Sequence, residues 1–391
     1  MNRKRYYILF ATIAVYIIAM IRVVFRDYFT MMEYSPVSAY SMILLVAYSL
    51  FLIISTPTSR KGPILNKMIF LMLVLGIIDA LKYGFPQMLM LKVVLSVSLW
   101  EVIYFTFYRI QATDGTFIIS ARKFFMLLFV PIVLLFIRSQ LLRYSMLLSF
   151  VGKEGNNMIF YVITMIPWIL LINKRKYKTI LLIIVTILCV ISLKRSALIG
   201  VLLVDSFYLY IEFIKHSSNK ARAIVLFVIL IGAFSFSTNL ANNFSDNMAI
   251  SRMNSIKEDE GSGRIDHWKD TWNLVQSESS LEKNLLGHGY CGVEVALNEP
   301  NHSAHNDFLE VLYDYGWIAL ILYVFIHLLI IKRLKSLVGY NKRYLLPYIS
   351  SYIVFIVLSM VSHLVIYPTY FIFLTSFWGA IEGACVKASR S

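Results

Sequence analysis

Apolar runs long enough to cross a bilayer recur along nearly the whole chain, separated by short polar connections and by one long one. A hydrocarbon core of about 30 Å takes about 20 apolar residues in an α-helix. Runs of that order fall near 6–25, 37–56, 64–85, 87–109, 123–138, 156–173, 178–193, 196–214, 221–238, 306–331, 344–366 and 368–386. The pattern predicts an all-α polytopic integral membrane protein, a single transmembrane domain over 1–391 with about 12 transmembrane helices. The runs at 178–193 and 196–214 are short and divided only by Leu193-Lys194-Arg195, which fits two spans or a pair of broken, re-entrant helices. Residues 239–305 form one large polar loop between the ninth and tenth predicted spans.

Local order is legible inside that loop. Ser262 can cap a helix from about Arg264, along which Ile265, Trp268, Trp272 and Val275 recur at helical spacing, an apolar stripe expected to lie against the membrane domain. Gly287-His288-Gly289 supplies a turn. Ser303 or Asn301 can cap the helix of the tenth span, which places His305 and Asn306 in its first turn, while His288 and His302 read as solvated loop residues. No internal repeat is visible.

Composition agrees with the pattern. With 59% hydrophobic and 15% charged residues and a mean hydropathy of +0.70, the chain holds more apolar side chain than a soluble core can bury, so lipid is the solvent for much of it. A net charge of +15 in a soluble protein would point to nucleic acid, but here the Lys and Arg fall mostly in short connections, and no nucleic acid is implied. Arg3-Lys4-Arg5, Arg60-Lys61, Arg122-Lys123, Lys174-Arg175-Lys176, Lys215 with Lys220 and Arg222, Lys332-Arg333 with Lys342-Arg343, and Lys387 with Arg390 share one side if the spans alternate. Both termini are then cytoplasmic and the loop at 239–305 is extracytoplasmic. Arg138, Arg143 and Lys194-Arg195 fall on the outer side, against the rule, and need another reason. Cys189, Cys291 and Cys385 are too scattered for an internal disulfide framework, and the first apolar run reads as an uncleaved span.

Chemistry-bearing side chains concentrate at one water-membrane boundary, in Asn301-His302-Ser303-Ala304-His305-Asn306-Asp307-Phe308-Leu309-Glu310, followed by Tyr315-Gly316-Trp317. His305-Asn306, nine residues and then Gly316 resembles the His-Asn-x9-Gly pattern of the bacterial O-antigen ligase and O-antigen polymerase superfamily. Two further stretches are similar to that superfamily: Ser192-Leu193-Lys194-Arg195-Ser196-Ala197 at a span end, and Gly263-Arg264 with Trp268 opening the loop helix. Ala319 departs from the Gly, Thr or Tyr usual in the ligases, which favours the polymerases. The motifs cover the chain from about residue 150 onward.

The resemblance implies a fold similar to the membrane glycosyltransferase C class and a place in the bacterial cytoplasmic membrane. It also implies metal-independent, cofactor-free transfer, at an active site on the outer face, of undecaprenyl-diphosphate-linked oligosaccharide, with a chain-length regulator and a flippase as candidate protein partners. An acceptor hydroxyl loses a proton as it attacks the anomeric carbon, and imidazole, with its ordinary pKa near 6.5, suits that task. His305 is the candidate general base. The planar guanidinium forks of Arg195 and Arg264 are the candidates for the diphosphate, supported by Lys194, Asn306 and His363. Arg195 can alternatively snorkel to headgroups, and Arg264 can be a surface charge.

Other polar positions carry less. Asp79 and Lys82 are spaced to pair locally, Asp205 faces a cavity or bonds to a neighbouring helix, and Glu258-Asp259-Glu260 binds a divalent cation or is simply solvated. The expected activity is polymerisation of lipid-linked repeat units, with ligase-type transfer of a finished polymer as the alternative. A lipid-linked sugar transporter or flippase is a third reading, disfavoured because the polar groups cluster at one face and no repeat is seen.

Overall fold

Eight helices among the described residues of the computed structural model are long and apolar enough to cross a membrane. The structure describes residues 3–26, 36–57, 62–82, 87–145, 156–214, 264–297, 303–340, 342–362, 364–365 and 368–388. Five of the eight come first: α1 (Arg3–Arg26), α2 (Pro36–Ser55), α3 (Ile64–Lys82), α4 (Gln87–Thr113) and α5 (Phe117–Ser145). The last three are α13 (Asp307–Tyr340), α14 (Lys342–Val361) and α15 (Pro368–Ala388). Between these groups lie α6 (Ile159–Ile163), α7 (Ile166–Leu170), α8 (Arg175–Ile191), α9 (Arg195–Leu209), α10 (Arg264–Ser277), α11 (Leu281–Leu286) and α12 (Gly292–Leu297).

Eight of the 12 expected runs are thus span-length helices, and those at 156–173, 178–193 and 196–214 are shorter or broken. The run at 156–173 is not one helix: it splits into α6 and α7, of five residues each, with every residue of both buried. Pro167 stands at the start of α7 and has no N–H to continue a helix from α6, so the chain turns through Met165 and begins again. The run at 221–238, Ser262, Asn301, His302, His363 and the Glu258-Asp259-Glu260 stretch lie outside the described residues.

The stretch 178–214 is an antiparallel hairpin of two helices, not a broken one. Thr186 donates to Asp205 at 2.6 Å, Thr179 meets Tyr208 at 2.6 Å, and Lys178 pairs with Glu212 at 2.6 Å, so α8 and α9 run side by side in opposite senses. Asp205, expected to face a cavity or bond a neighbour, does the second. At 17 residues α8 is about 25 Å long, shorter than the eight span-length helices. A π turn (Tyr210–Ile214) extends α9. Lys194-Arg195 lies at the hairpin tip, the end away from the Lys178–Glu212 pair.

The densest contact of the fold joins α4 to α15. Gly379 and Gly383 sit one turn apart on α15; a Cβ on Gly383 would stand 2.5 Å from the Tyr108 carbonyl oxygen, and one on Gly379 would collide with that of Tyr104. Two small residues at this spacing let helix backbones touch, the usual device where lipid provides no hydrophobic drive between helices. Trp168 of α7 donates to Phe373 O at 3.0 Å and fastens the broken helix to the same wall.

Several basic connections gather at one end. Arg5 reaches Ser55 at the end of α2, Arg122 donates to Leu171 O at 2.9 Å, and Lys387 donates to Thr113 O at 3.1 Å. The starts of α9 and α13 and the end of α14 lie at the opposite end, where the candidate site residues are found.

Candidate functional site

The start of α13 is set by Asn306, the N-cap. Its Oδ1 accepts the backbone N–H groups of Phe308 at 2.9 Å and Leu309 at 3.3 Å, and its Nδ2 donates to Met360 O at 3.3 Å in the last turn of α14. An Asn side chain is among the best acceptors for those first, otherwise unpaired, N–H groups. The expectation that Ser303 or Asn301 caps this helix is thus corrected: the cap is Asn306, and His305 stands outside the first turn. His305 has φ 50°, a left-handed conformation that is uncommon for any residue with a Cβ. Strain of this kind, of order 1–3 kcal/mol, persists where neighbours over-determine it.

Those neighbours include α10. The His305 ring meets the His267 ring edge-on at 5.4 Å between centroids, and Arg264 lies one turn before His267 on the same face of α10. The loop helix does pack on α13, as expected, but on a different face. Thr271 is fully buried and Trp268 buries its indole nitrogen, while Ile265 and Trp272 are 42% and 41% exposed. The contact face is therefore shifted around from the apolar stripe, onto His267, Trp268 and the small Thr271.

Arg195 is the first residue of α9, following Lys194 in an extended conformation and Leu193 at φ 57°. The Lys194 ammonium lies 6.0 Å from the centre of the Phe160 ring. Five residues on, a Cβ at Gly200 would meet Val357 at 3.8 Å, and Val357 is three residues before the Met360 carbonyl that holds Asn306. Arg195 and the His305-Asn306 pair thus share one end of the bundle, joined through the last turns of α14. Arg264 reaches that end through α10.

The motif glycine has a structural task of its own. Gly316 interrupts α13 at φ 81°, ψ 178°, a backbone state essentially confined to glycine. The break frees the carbonyls of Tyr313 and Asp314 from the helix, and they accept the N–H groups of His288 at 3.0 Å and Gly289 at 2.8 Å. Gly287 and Gly289, both at positive φ, make the expected turn. His288 is not the solvated residue expected. It stacks on Tyr313 at 4.0 Å, and its Nε2 lies 2.7 Å from Glu278. That hydrogen bond, with a second from the Ser280 N–H, holds the Glu278 pKa down to about 2. Lys82 also reaches beyond the local spacing to Asp79: it pairs with Glu282 at 2.8 Å and ties α3 to the loop.

Three carboxylates escaped sequence reasoning. Asp307, Glu310 and Asp314 are buried on one face of the first turns of α13. Glu310 accepts the Ala304 N–H at 2.7 Å, next to His305, and Asp314 accepts the Val293 N–H at 3.3 Å. Their remaining oxygens, Glu310 Oε2 and Asp314 Oδ2, are buried without a hydrogen-bond partner. The signal that could have found them is their spacing on a helix that otherwise reads as membrane-spanning, where acidic residues are rare and turn inward. Among the described residues no group of three or more His, Cys, Asp and Glu side chains is placed to hold a metal ion. The cysteines are all free.

Residues 179–324 match the family model of the O-antigen ligases. No curated protein matches the chain. The matched segment begins in α8, takes in the α9 tip and the loop helices, and ends in α13 beyond Gly316, so it contains Lys194, Arg195, Arg264, His305 and Asn306. The chain is a polytopic membrane protein whose residues 179–324 are similar to the O-antigen ligase family.

Proposed function

We infer that the protein polymerises undecaprenyl-diphosphate-linked oligosaccharide repeat units on the outer face of the bacterial cytoplasmic membrane. The observation that carries this reading is the placement of His305, held left-handed beside the start of α10 and at the same end of the bundle as the α9 tip. In the proposed step, His305 takes the proton of an acceptor sugar hydroxyl while that oxygen bonds to the anomeric carbon of the donor. The bond from that carbon to the diphosphate oxygen breaks, and undecaprenyl diphosphate leaves with the electron pair. Arg195 and Arg264 neutralise the charge that develops there, and no metal ion is needed for that charge.

The basic connections of α1, α5 and α15 gather at the end away from the site, which supports cytoplasmic termini and a site on the outer face. Ligase-type transfer of a finished polymer to another acceptor uses the same site chemistry and is favoured by the family description.

Analysis of lipid-linked glycans in a strain lacking the protein separates the two. Single capped repeats are expected; long lipid-linked chains would instead show a ligase, and an unchanged glycan profile would remove both readings. For Arg195, replacement by Lys keeps the charge but loses the two-pronged contact, so polymer yield is expected to fall with Arg195→Lys and further with Arg195→Ala. Yield equal to wild type in Arg195→Ala membranes would return Arg195 to an interfacial anchor.

A further inference from the structure

Asp307 opens α13 with its side chain fully enclosed, a setting that disfavours an ionisable group unless partners meet it. The partners come from elsewhere in the chain. Oδ1 accepts the backbone N–H groups of Leu364 at 2.9 Å and Val365 at 3.3 Å, both in the connection between α14 and α15. Oδ2 accepts the Tyr323 hydroxyl at 3.1 Å, and that hydroxyl lies 2.9 Å from Ser359 Oγ near the end of α14. Two converging N–H groups and a hydroxyl turned to donate are satisfied together by an acceptor-only carboxylate. Through these bonds, and through Asn306 to Met360 O, the start of α13, the end of α14 and the connection beyond it are held as one unit. His305 is two residues away.

We propose that Asp307 is a positioning residue: its carboxylate staples Leu364 and Val365 to the start of α13 and so fixes His305 relative to the α14 side of the transfer site. The proposal rests on the glycan-transfer reading for its consequence, but not for the staple itself. Asp307 is fully enclosed and both of its oxygens are engaged within the protein, so the role assigned to it is to hold its neighbours and not to meet substrate. Misplacement of a reacting group by about 1 Å can reduce a rate about 10²-fold, so a residue that only holds its neighbours in place can carry a large effect.

Two measurements test the staple and its consequence separately. The first uses Leu364→Cys, since Leu364 is fully buried, and follows maleimide labelling in membranes above the background of Cys189, Cys291 and Cys385. Labelling is expected to stay slow with Asp307 intact, to accelerate at least about tenfold with Asp307→Ala, and to stay slow with Asp307→Asn. The carboxamide oxygen of that Asn still accepts both N–H groups, while the Tyr323 hydroxyl turns to donate to Ser359. Tyr323→Phe removes a single donor and is expected to give intermediate labelling, which keeps the test alive if Asp307→Ala fails to insert. Equal labelling in all backgrounds overturns the staple, whatever reaction the protein performs.

The second measurement is turnover of lipid-linked repeats by the same purified variants. For Asp307→Ala, kcat is expected to fall about 10²-fold with little change in KM for the donor, and Asp307→Asn is expected to recover most of it. Accelerated labelling with wild-type turnover would overturn the link to the site. Asp307→Asn as slow as Asp307→Ala, with labelling unchanged, would show that charge matters and positioning does not. A wild-type protein without transfer activity would count against the glycan-transfer reading and leave the labelling result standing.

Discussion

His305→Ala is expected to slow sugar transfer by about 10²–10⁴-fold while leaving protein abundance and donor binding near wild type. The reasoning begins from where the residue stands. His305 lies before the N-cap, not inside α13, so truncation of its side chain removes no helix hydrogen bond; Asn306 does the capping. Ala is less at home than His at φ 50°, but a single left-handed residue outside the helix adds only a modest cost, so the fold should survive the change. What is removed is the imidazole that meets His267, and with it the proposed proton acceptor. Single-turnover transfer in nanodiscs, alongside donor binding, reads the two effects apart. A variant that binds donor normally and transfers at the wild-type rate would end the general-base assignment. One that fails to bind donor would shift His305 toward a role in holding the diphosphate.

Much of this arrangement was legible before any geometry. Hydropathy marked the long helices because an apolar run of span length has few fates other than burial in lipid. The His-Asn and Gly316 spacing singled out the start of α13, which lies at the same end of the bundle as the α9 tip. The departures share a physical cause: the deciding partner was a backbone group, or a residue far along the chain. Lys82 has the spacing of a local pair with Asp79, and it also reaches Glu282 in the loop, a partner that the spacing does not show. Asp307, Glu310 and Asp314 look costly in an apolar run, and their partners are the N–H groups of Leu364, Ala304 and Val293, which carry no residue-type signature. The stripe on α10 was correct in period but displaced in phase, because the close contact was made through Thr271 and not through the largest side chains. Pro167, by contrast, was visible, and the split of the 156–173 run follows from its missing N–H.

Gly316→Ala is expected to release the 278–293 loop from α13 and to lower the amount of folded protein sharply. Two penalties combine at this position. The backbone at φ 81°, ψ 178° is one that a Cβ makes unfavourable by order 1–3 kcal/mol. The added methyl would also stand 2.6 Å from Gly287 N and still closer to Leu285 O, both backbone atoms that cannot swing aside, and such overpacking typically costs about 1–3 kcal/mol more. Together they reach roughly 2–6 kcal/mol, against the roughly 5–15 kcal/mol by which a folded domain is stable. The chain can relieve both by straightening α13, but the Tyr313 and Asp314 carbonyls then lose the loop N–H groups of His288 and Gly289. Gly292→Ala provides the contrast. Its Cβ would lie 3.0 Å from Asp314 Oδ1 and 3.1 Å from His288 Cβ, contacts that a few tenths of an ångström relieve, and Gly292 is not at positive φ, so a smaller loss is expected. Limited proteolysis of membrane vesicles should show rapid cleavage within 278–293 for Gly316→Ala and near wild-type resistance for Gly292→Ala. Equal resistance in both would mean that the break in α13 does not hold the loop, and that Gly316 serves the site in some other way.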